Sequence, residues 1–460
     1  MGTSEMGRFE SARYGAKFAC ATCSRIRPMD FSSVTAALNH FVSAKTFPGA
    51  VYAVGDSSGL LHAEAVGHFT YDAGAPPMAT STLFDVASLT KVTATTTAAM
   101  LLYQWGELDL DTRLTNFYGD GFAATDPRKA AITVRNLLLH DAGWPPDPTP
   151  SYCTPSFACP ETTSTPPTKR HTTFSCQHRI FASISTQKLA RPPGAKYVYS
   201  DISMISLMFV VGKLARPHVK ESELRPDCVA AMDNTSMLSA TLAAPIDQCY
   251  FEAFVRLRVF SHLTTSSKDE SFLGYLPPRR LWSQHIAPAW NDTTAGFPGE
   301  CVKPYRERVL QGEVSDGNAF SSGGISGHAG VFASVTQLHS LIHQLLFATS
   351  STTRLGVNGT TAKLFTTVAN ASFSSRALGW DTNMIGSYRG CGNFSEATFT
   401  HTGYTGTMLC ADPLGARGGL TAVLFTNRVY PSAAAPSRIL EARQAFSDAV
   451  LEVVRARAAA

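Results

Sequence analysis

The stretch "FDVASLTKVTATTTAAMLLYQWGEL", Phe84 to Leu108, carries one charge, Lys91, between Asp85 and Glu107. From Val92 to Gly106 it is apolar with Ala and Thr on the thinner side, the pattern of a helix buried nearly all round. A lysine there is costly unless it is paired or shifted toward its neutral form. Ser88 and Lys91 stand at i and i+3, so on a helix their side chains share a face. Ser88 would also lie in the first turn, where free N–H groups and the helix dipole favour developing negative charge. An oxygen nucleophile beside a lysine of depressed pKa is what nucleophilic catalysis needs. The sequence holds a second S-x-x-K, Ser185 to Lys188, but "LARPPG" follows it almost at once. That helix stops and its lysine reaches water.

The 460 residues, 44% hydrophobic, are ample for a core, and a net charge of +4 is small for this length. The basic residues are scattered, with no run interleaved with aromatics, which speaks against nucleic acid. "ISMISLMFVVGKLA" is too short and interrupted to cross a bilayer, so a soluble protein without a transmembrane segment is expected. Residues 1–30 lack the apolar run of a secretory signal. A cytoplasmic location is therefore favoured, with a mitochondrial one as the alternative, because the tail bears Arg and Ser with few acids. Cys20 and Cys23 form a lone C-x-x-C and read as ordinary thiols. The sequons at Asn234, Asn291, Asn358, Asn370 and Asn393 read as chance in a Ser/Thr-rich chain.

"FSSVTAALNHFVSAK" has helical periodicity, and "GAVYAVGDSSGLLHAEAVGHF" reads as a two-stranded hairpin. Toward the other end, "EATFTHTG", "GTMLCADP" and "GGLTAVLFTN" read as strands, and a last helix covers roughly Pro436 to Arg455. An α/β domain spanning 31–455 follows, with a central antiparallel sheet of about five strands built from both chain ends, flanked by helices. Pro/Thr-rich residues 145–178 read as a surface insertion, and 216–301 as a second, mostly helical one. Residues 456–460 form a tail.

A Ser–Lys pair needs a proton relay and donors for an oxyanion. "PPGAKYVYSDISMISLMFVVG" places Tyr199-Ser200-Asp201 before an apolar helix, and "FTHTGYTGT" places His401-Thr402-Gly403-Tyr404 at a strand end. Tyr118-Gly119-Asp120 is a competing Y-x-D in a glycine-flanked loop with no helix behind it.

In this order the motifs resemble those of the serine β-lactamase and penicillin-binding-protein superfamily: S-x-x-K, then Y-x-N, then K-T-G. The class C-like branch, with its esterases and D-amino-acid peptidases, is the nearest. "VRNLLLHDAGWP" (Val134 to Pro145) is similar to that branch's R-x-L-L-x-H-x-S-G segment, and "GEVSDGNAFSSGGISGHAGVFASVTQL" (Gly312 to Leu338) to its Gly-rich turn. The resemblance implies a β-lactamase/transpeptidase-like fold and a cofactor- and metal-free serine hydrolase. Ser88 would form the acyl-enzyme, Lys91 would take its proton and Tyr199 would relay protons. The backbone N–H groups of Ser88 and Tyr404 would hold the oxyanion, with Asp201, His401, Thr402 and Gly403 lining the substrate. Asp201 stands where the pattern has Asn, and His401 where it has Lys, so the fixed charge there becomes pH-dependent. The substrate expected is a small ester or amide. A D-amino-acid peptidase or weak β-lactamase is the alternative, and a non-catalytic protein keeping the fold the third reading. The oligomeric state is open.

Overall fold

The computed structural model describes residues 29–154, 156–157, 159, 176–233, 245–264, 271–292, 306, 308–349, 353–432 and 437–458. The C-x-x-C, nearly all of the N-terminal tail and the Asn234 sequon lie outside them.

Its frame is an antiparallel sheet of six strands, one more than expected. In chain order these are β1 (Gly49–Asp56), β2 (Gly59–Gly67), β3 (Asp381–Thr382), β4 (Phe399–Thr402), β5 (Met408–Asp412) and β6 (Leu420–Thr426). Their spatial order is β2-β1-β6-β5-β4-β3, so the hairpin from the front of the chain docks on strands from the back. The β1–β6 register pairs Ala50 with Thr426 and Asp56 with Leu420.

The two-residue period of a strand sends alternate side chains to opposite cores. Ala50, Tyr52 and Val54 of β1, with Met408 and Cys410 of β5, face α1 (Ser32–Ser43) and the C-terminal helix Ile439–Ala458. Val51 and Ala53, with Leu409, Ala411, Val423 and Phe425, face a larger core on the other side. Both faces are covered, which is why β1 and β6 are buried along their whole length. Each Val or Leu so buried contributes about 1.5–3 kcal/mol.

The larger core holds the apolar run of the opening stretch, which ends in α2 (Thr97–Gln104). It also holds α3 (Asp201–Ala215), buried on nearly every face, and α4 (Pro245–Arg258) packed across it. A Cβ on Gly212 would overlap the Asp247 backbone, so that crossing is close. Phe251, Phe254 and Val255 of α4 are fully buried, so residues 216–301 supply core as well as covering it.

Two further expectations change. In the Pro/Thr-rich stretch, Tyr152 is buried with its N–H donated to Asn318 Oδ1 at 2.7 Å, and Cys159 bonds Cys176. The described part of that stretch therefore mixes packed residues with exposed ones such as Pro146, Thr149, Pro150 and Ser156. Cys228–Cys249 and Cys391–Cys410 are also disulfides. Such bonds persist in oxidising compartments and are rare in the cytosol, which weighs against the cytoplasmic expectation. Among the described residues no helix is long and apolar enough to cross a membrane.

Candidate active site

Phe84–Asp85 pairs with Val331–Ala333 in a small second sheet. The buried Asp85 carboxylate then accepts from Ala87 N–H at 2.9 Å and from Ser315 N–H and Oγ, each at 2.7 Å. Ala87 is forced to φ 48°, a left-handed conformation that a residue with a Cβ adopts at a cost and that concentrates at functional sites. This corner presents Ser88, half-buried, immediately before the helix. The helix itself departs from the expected plain α form. Lys91–Thr96 winds as a π-helix before the α-helix Thr97–Gln104 begins. Thr97 Oγ1 fills the gap by donating to the Val92 carbonyl at 2.7 Å. Short π segments favour functional sites.

Lys91 is fully buried. Its Nζ donates to Ser88 Oγ at 2.9 Å and to the His328 carbonyl at 3.1 Å, and meets Asp201 Oδ1 at 2.8 Å. The expected depressed lysine is not found. Burial alone would lower its proton affinity, but Asp201 and then Tyr199 outweigh burial and lift Lys91 above the usual lysine range. Lys91 is an ammonium here.

Tyr199 and Asp201 stand at the mouth of α3, and the segment Val134 to Pro145 holds them there. Asp201 N–H donates to the Pro146 carbonyl at 2.7 Å and Ser200 Oγ to the Pro145 carbonyl at 2.7 Å. Ser200 N–H donates to His140 Nδ1 at 3.1 Å, which fixes the proton of neutral His140 on Nε2. The His140 ring lies 4.8 Å from that of Tyr199, and Lys91 Nζ sits 4.8 Å from the Tyr199 ring centre. Burial raises the Tyr199 phenol above its ordinary value although Lys91 and Ser88 pull the other way, so it rests as a neutral phenol. Tyr118 takes no part: its hydroxyl donates to the Ser206 carbonyl, at the back of α3.

The strand end carrying His401 to Tyr404 is pressed against the chain preceding Ser88. Thr405 Oγ1 donates to the Asp85 carbonyl at 2.7 Å and Thr407 Oγ1 to the Val86 carbonyl at 3.0 Å. A Cβ at 403 would overlap the Thr407 hydroxyl and the Val86 carbonyl, so only glycine fits. His401 is 4% exposed and differs from expectation. Burial, then Arg376 and Lys91, push its pKa well below the histidine range, so it stays neutral and supplies no titrating charge. Its Nδ1 donates to the Thr402 carbonyl at 3.0 Å, which leaves Nε2 as a bare acceptor.

Ser88, Tyr199, His401, Thr402, Gly403 and Tyr404 line one cavity of about 360 Å³, with Asp201 behind Lys91. Its remaining wall carries Arg376, Arg389, Arg428 and Arg443 against one acid, Asp381. No sequence motif marks these arginines, because tertiary structure alone gathers them from three separate loops and the last helix. Arg443 spends donors on Tyr388 Oη and on the Gly403 and Thr407 carbonyls, and Arg428 on the Tyr404 carbonyl. Arg376 is different. It is 7% exposed, donates one Nη2 bond to Tyr197 Oη and lies 3.4 Å from Asp381, while its Nε and Nη1 have no hydrogen-bond partner among the described residues. His140, His328 and Asp316 also escaped notice as site residues, although each lay inside a motif already singled out. Asp201, Asp316 and His328 bring ligand atoms within 4.8 Å of one another. His328 Nε2 lies against both carboxylates and Lys91 Nζ against Asp201.

A sequence model described as Beta-lactamase matches residues 34–446. The chain belongs to the β-lactamase family. It is therefore a serine hydrolase of the β-lactamase-related type, acting on small substrates such as peptides or esters. An Escherichia coli (strain K12) relative, named provisionally as a D-alanyl-D-alanine carboxypeptidase, is 26% identical over 368 residues, 78% of this chain and 72% of that protein. Two solved structures share the fold of this β-lactamase-family chain. A class C β-lactamase from Rhodobacter sphaeroides superposes with a TM-score of 0.57 at 14% identity, covering 92% of this chain and 99% of that one. A penicillin-binding-protein homologue from Caulobacter crescentus gives 0.59 at 16% identity, covering 91% and 97%.

Proposed function

We propose that the protein forms an acyl-enzyme on Ser88 and hydrolyses a small ester or amide that carries a carboxylate close to the reacting carbonyl. The supporting observation is Lys91 Nζ, 2.9 Å from Ser88 Oγ and shut from water, beside a cavity whose wall gathers Arg376, Arg389, Arg428 and Arg443. Ser88 Oγ attacks the carbonyl as its proton passes to Lys91 in the neutral form. The backbone N–H groups of Ser88 and Tyr404 hold the oxyanion. Tyr199 then hands the proton to the departing alcohol or amine, and water, deprotonated along the same path, releases the acid. Arg376 anchors the carboxylate by the charge-assisted bonds a guanidinium makes well.

A peptide ending in a D-amino acid is the amide form of such a substrate. The cationic cavity favours this carboxypeptidase reading alongside simple ester hydrolysis, in keeping with the name of the Escherichia coli relative. A protein that keeps the fold without turnover would not need the Ser88–Lys91 contact. The test is to treat the protein with a fluorophosphonate and with a labelled penicillin, and to map adducts by mass spectrometry. Ser88 should be labelled by the first at least. Turnover with no adduct on Ser88 would overturn the reading.

A further inference from the structure

We propose that His328 is a positioning residue: as an imidazolium it is the counter-cation of Asp201 and Asp316, and it keeps those carboxylates from locking the proton on Lys91. This rests on the Ser88–Lys91 reading above.

His328 is 1% exposed and reaches the site by two routes. Its carbonyl accepts from Lys91 Nζ at 3.1 Å. Its ring lies between two carboxylates, with Nε2 2.9 Å from Asp316 Oδ1 and 3.9 Å from Asp201 Oδ2, while Nδ1 is 2.8 Å from Ser326 Oγ. The backbone leaves the ring little choice of place. Thr95 Oγ1 holds the Gly327 carbonyl at 2.7 Å, and a Cβ on Gly327 would overlap the Met204 carbonyl of α3. Asp316 is fixed as well, because it caps the short helix Gly317–Ser321 through Ala319 N–H at 2.7 Å.

The consequence follows from counting charges. Asp201 stands where the family pattern has a neutral amide, so this site carries a carboxylate against its lysine. Lys91 and His328 together balance Asp201 and Asp316. The other groups near the ring are Asp147, pushed up to about 6 by burial and by Asp201 and Asp316, and Asp85, joined to the Asp316 segment through Ser315 and pushed up by burial. Asp316 and Asp201 outweigh burial and hold His328 above the usual histidine range, while Asp316 is drawn down to about 2. A base must shed its proton. When Lys91 does so, the four-residue network is left at −1 with His328 charged and at −2 without it. A buried excess of like charge is strongly disfavoured, so His328 makes the neutral lysine reachable.

The experiment compares the full-length wild type with His328→Gln, Asp201→Asn and the double variant. It measures kcat/KM for a neutral p-nitrophenyl ester between pH 5.5 and 8.5, which keeps Arg376 out of the readout. The acid-side limb reports deprotonation of Lys91. His328→Gln should move it upward by about one pH unit, tenfold in rate at fixed pH, and Asp201→Asn should move it downward. Adding His328→Gln to Asp201→Asn should move it by less than half as much as in the wild type. A faster or unchanged rate in His328→Gln at fixed pH, or the same change in both backgrounds, would overturn the proposal. Should His328→Gln fail to fold, Asp201→Asn decides alone, and an unmoved limb refutes the idea. Nitrogen-15 spectra of histidine-labelled wild type give a mutation-free check: the imidazole perturbed by Asp201→Asn should carry protons on both ring nitrogens at pH 7, and a neutral ring there overturns the proposal. Turnover surviving in Ser88→Ala would instead bring down the Ser–Lys reading itself. An inactive Ser88→Ala with an unmoved His328→Gln limb would bring down only this inference.

Discussion

The tetrapeptides Ser88-Leu89-Thr90-Lys91 and Ser185-Thr186-Gln187-Lys188 have the same spacing, yet Lys91 has no exposed surface and Lys188 lies in solvent just past the end of the helix Gln177–Thr186. Around Lys91 three acceptors converge, Ser88 from the preceding turn and Asp201 and the His328 carbonyl from two distant segments. Ser185 meets Lys129, whose Nζ donates to the Ser185 carbonyl at 2.6 Å and so binds backbone instead of a nucleophile. The spacing sets only which side chains share a face. Burial and the partners that other segments bring decide whether that face has chemistry.

The largest expected effect tests that contrast directly. Ser88→Ala should lose at least about 10³-fold in kcat/KM, a typical cost for a nucleophile, while Ser185→Ala should match the wild type. Comparable losses in both would erase the distinction. Next comes the lysine pair. Lys91→Arg should cost about 10²-fold or more in acylation at neutral pH, because a guanidinium keeps its charge and cannot serve as a base. Lys188→Arg should change nothing measurable. An active Lys91→Arg would recast Lys91 as an electrostatic anchor.

Much of this was legible in the sequence. The alternating strands at both chain ends fixed a two-sided sheet, since Val51 and Tyr52 must face opposite cores whatever lies between. The apolar run after Lys91 and the one after Asp201 marked two buried helices, and the Ser88, Tyr199 and His401 motifs meet at one cavity. What could not be read was set by contacts across long separations. The protonation of Lys91 depends on Asp201, 2.8 Å away in space and remote in the chain. The packing of Tyr152 depends on Asn318, and the arginine wall is assembled by the loops before and after β3, the loop after β6 and the last helix. The π-helical start at Lys91 leaves no trace in periodicity, because one extra residue per turn alters the phase of a run that is buried on all sides anyway.

Substrate charge carries the comparison from the two lysines to the cavity wall. Arg376→Ala should raise KM for a carboxylate-bearing ester by about 10- to 100-fold, the range of a lost charge-assisted pair, and move KM for a neutral ester of similar size by less than about threefold. Steady-state kinetics on the matched pair checks it. Equal losses on both substrates would mean that Arg376 supports Tyr197 and Tyr199 by packing, 4.6 and 5.6 Å from their ring centres, without receiving the substrate.

The smallest expected effect concerns His401, where burial again overrides what the residue type suggests. An exposed histidine would gain charge below about pH 6.5 and bind a carboxylate better there. His401 is enclosed, its Nδ1 proton is committed to the Thr402 carbonyl, and a second proton on Nε2 would create a cation facing Arg376 and Lys91. Because these causes push its pKa down, the neutral ring persists on both sides of pH 6.5, and among the described residues the cations on that wall are arginines, which do not titrate in this range. KM for the carboxylate-bearing ester should therefore vary by less than about twofold from pH 5.5 to 8.5, relative to the neutral ester measured in parallel. His401→Asn should leave that flat profile unchanged, since it removes no titrating charge. A KM that tightens several-fold below pH 6.5 in the wild type, and not in His401→Asn, would show that substrate binding draws a proton onto His401. It would also return to that position the carboxylate-binding charge that we propose for Arg376.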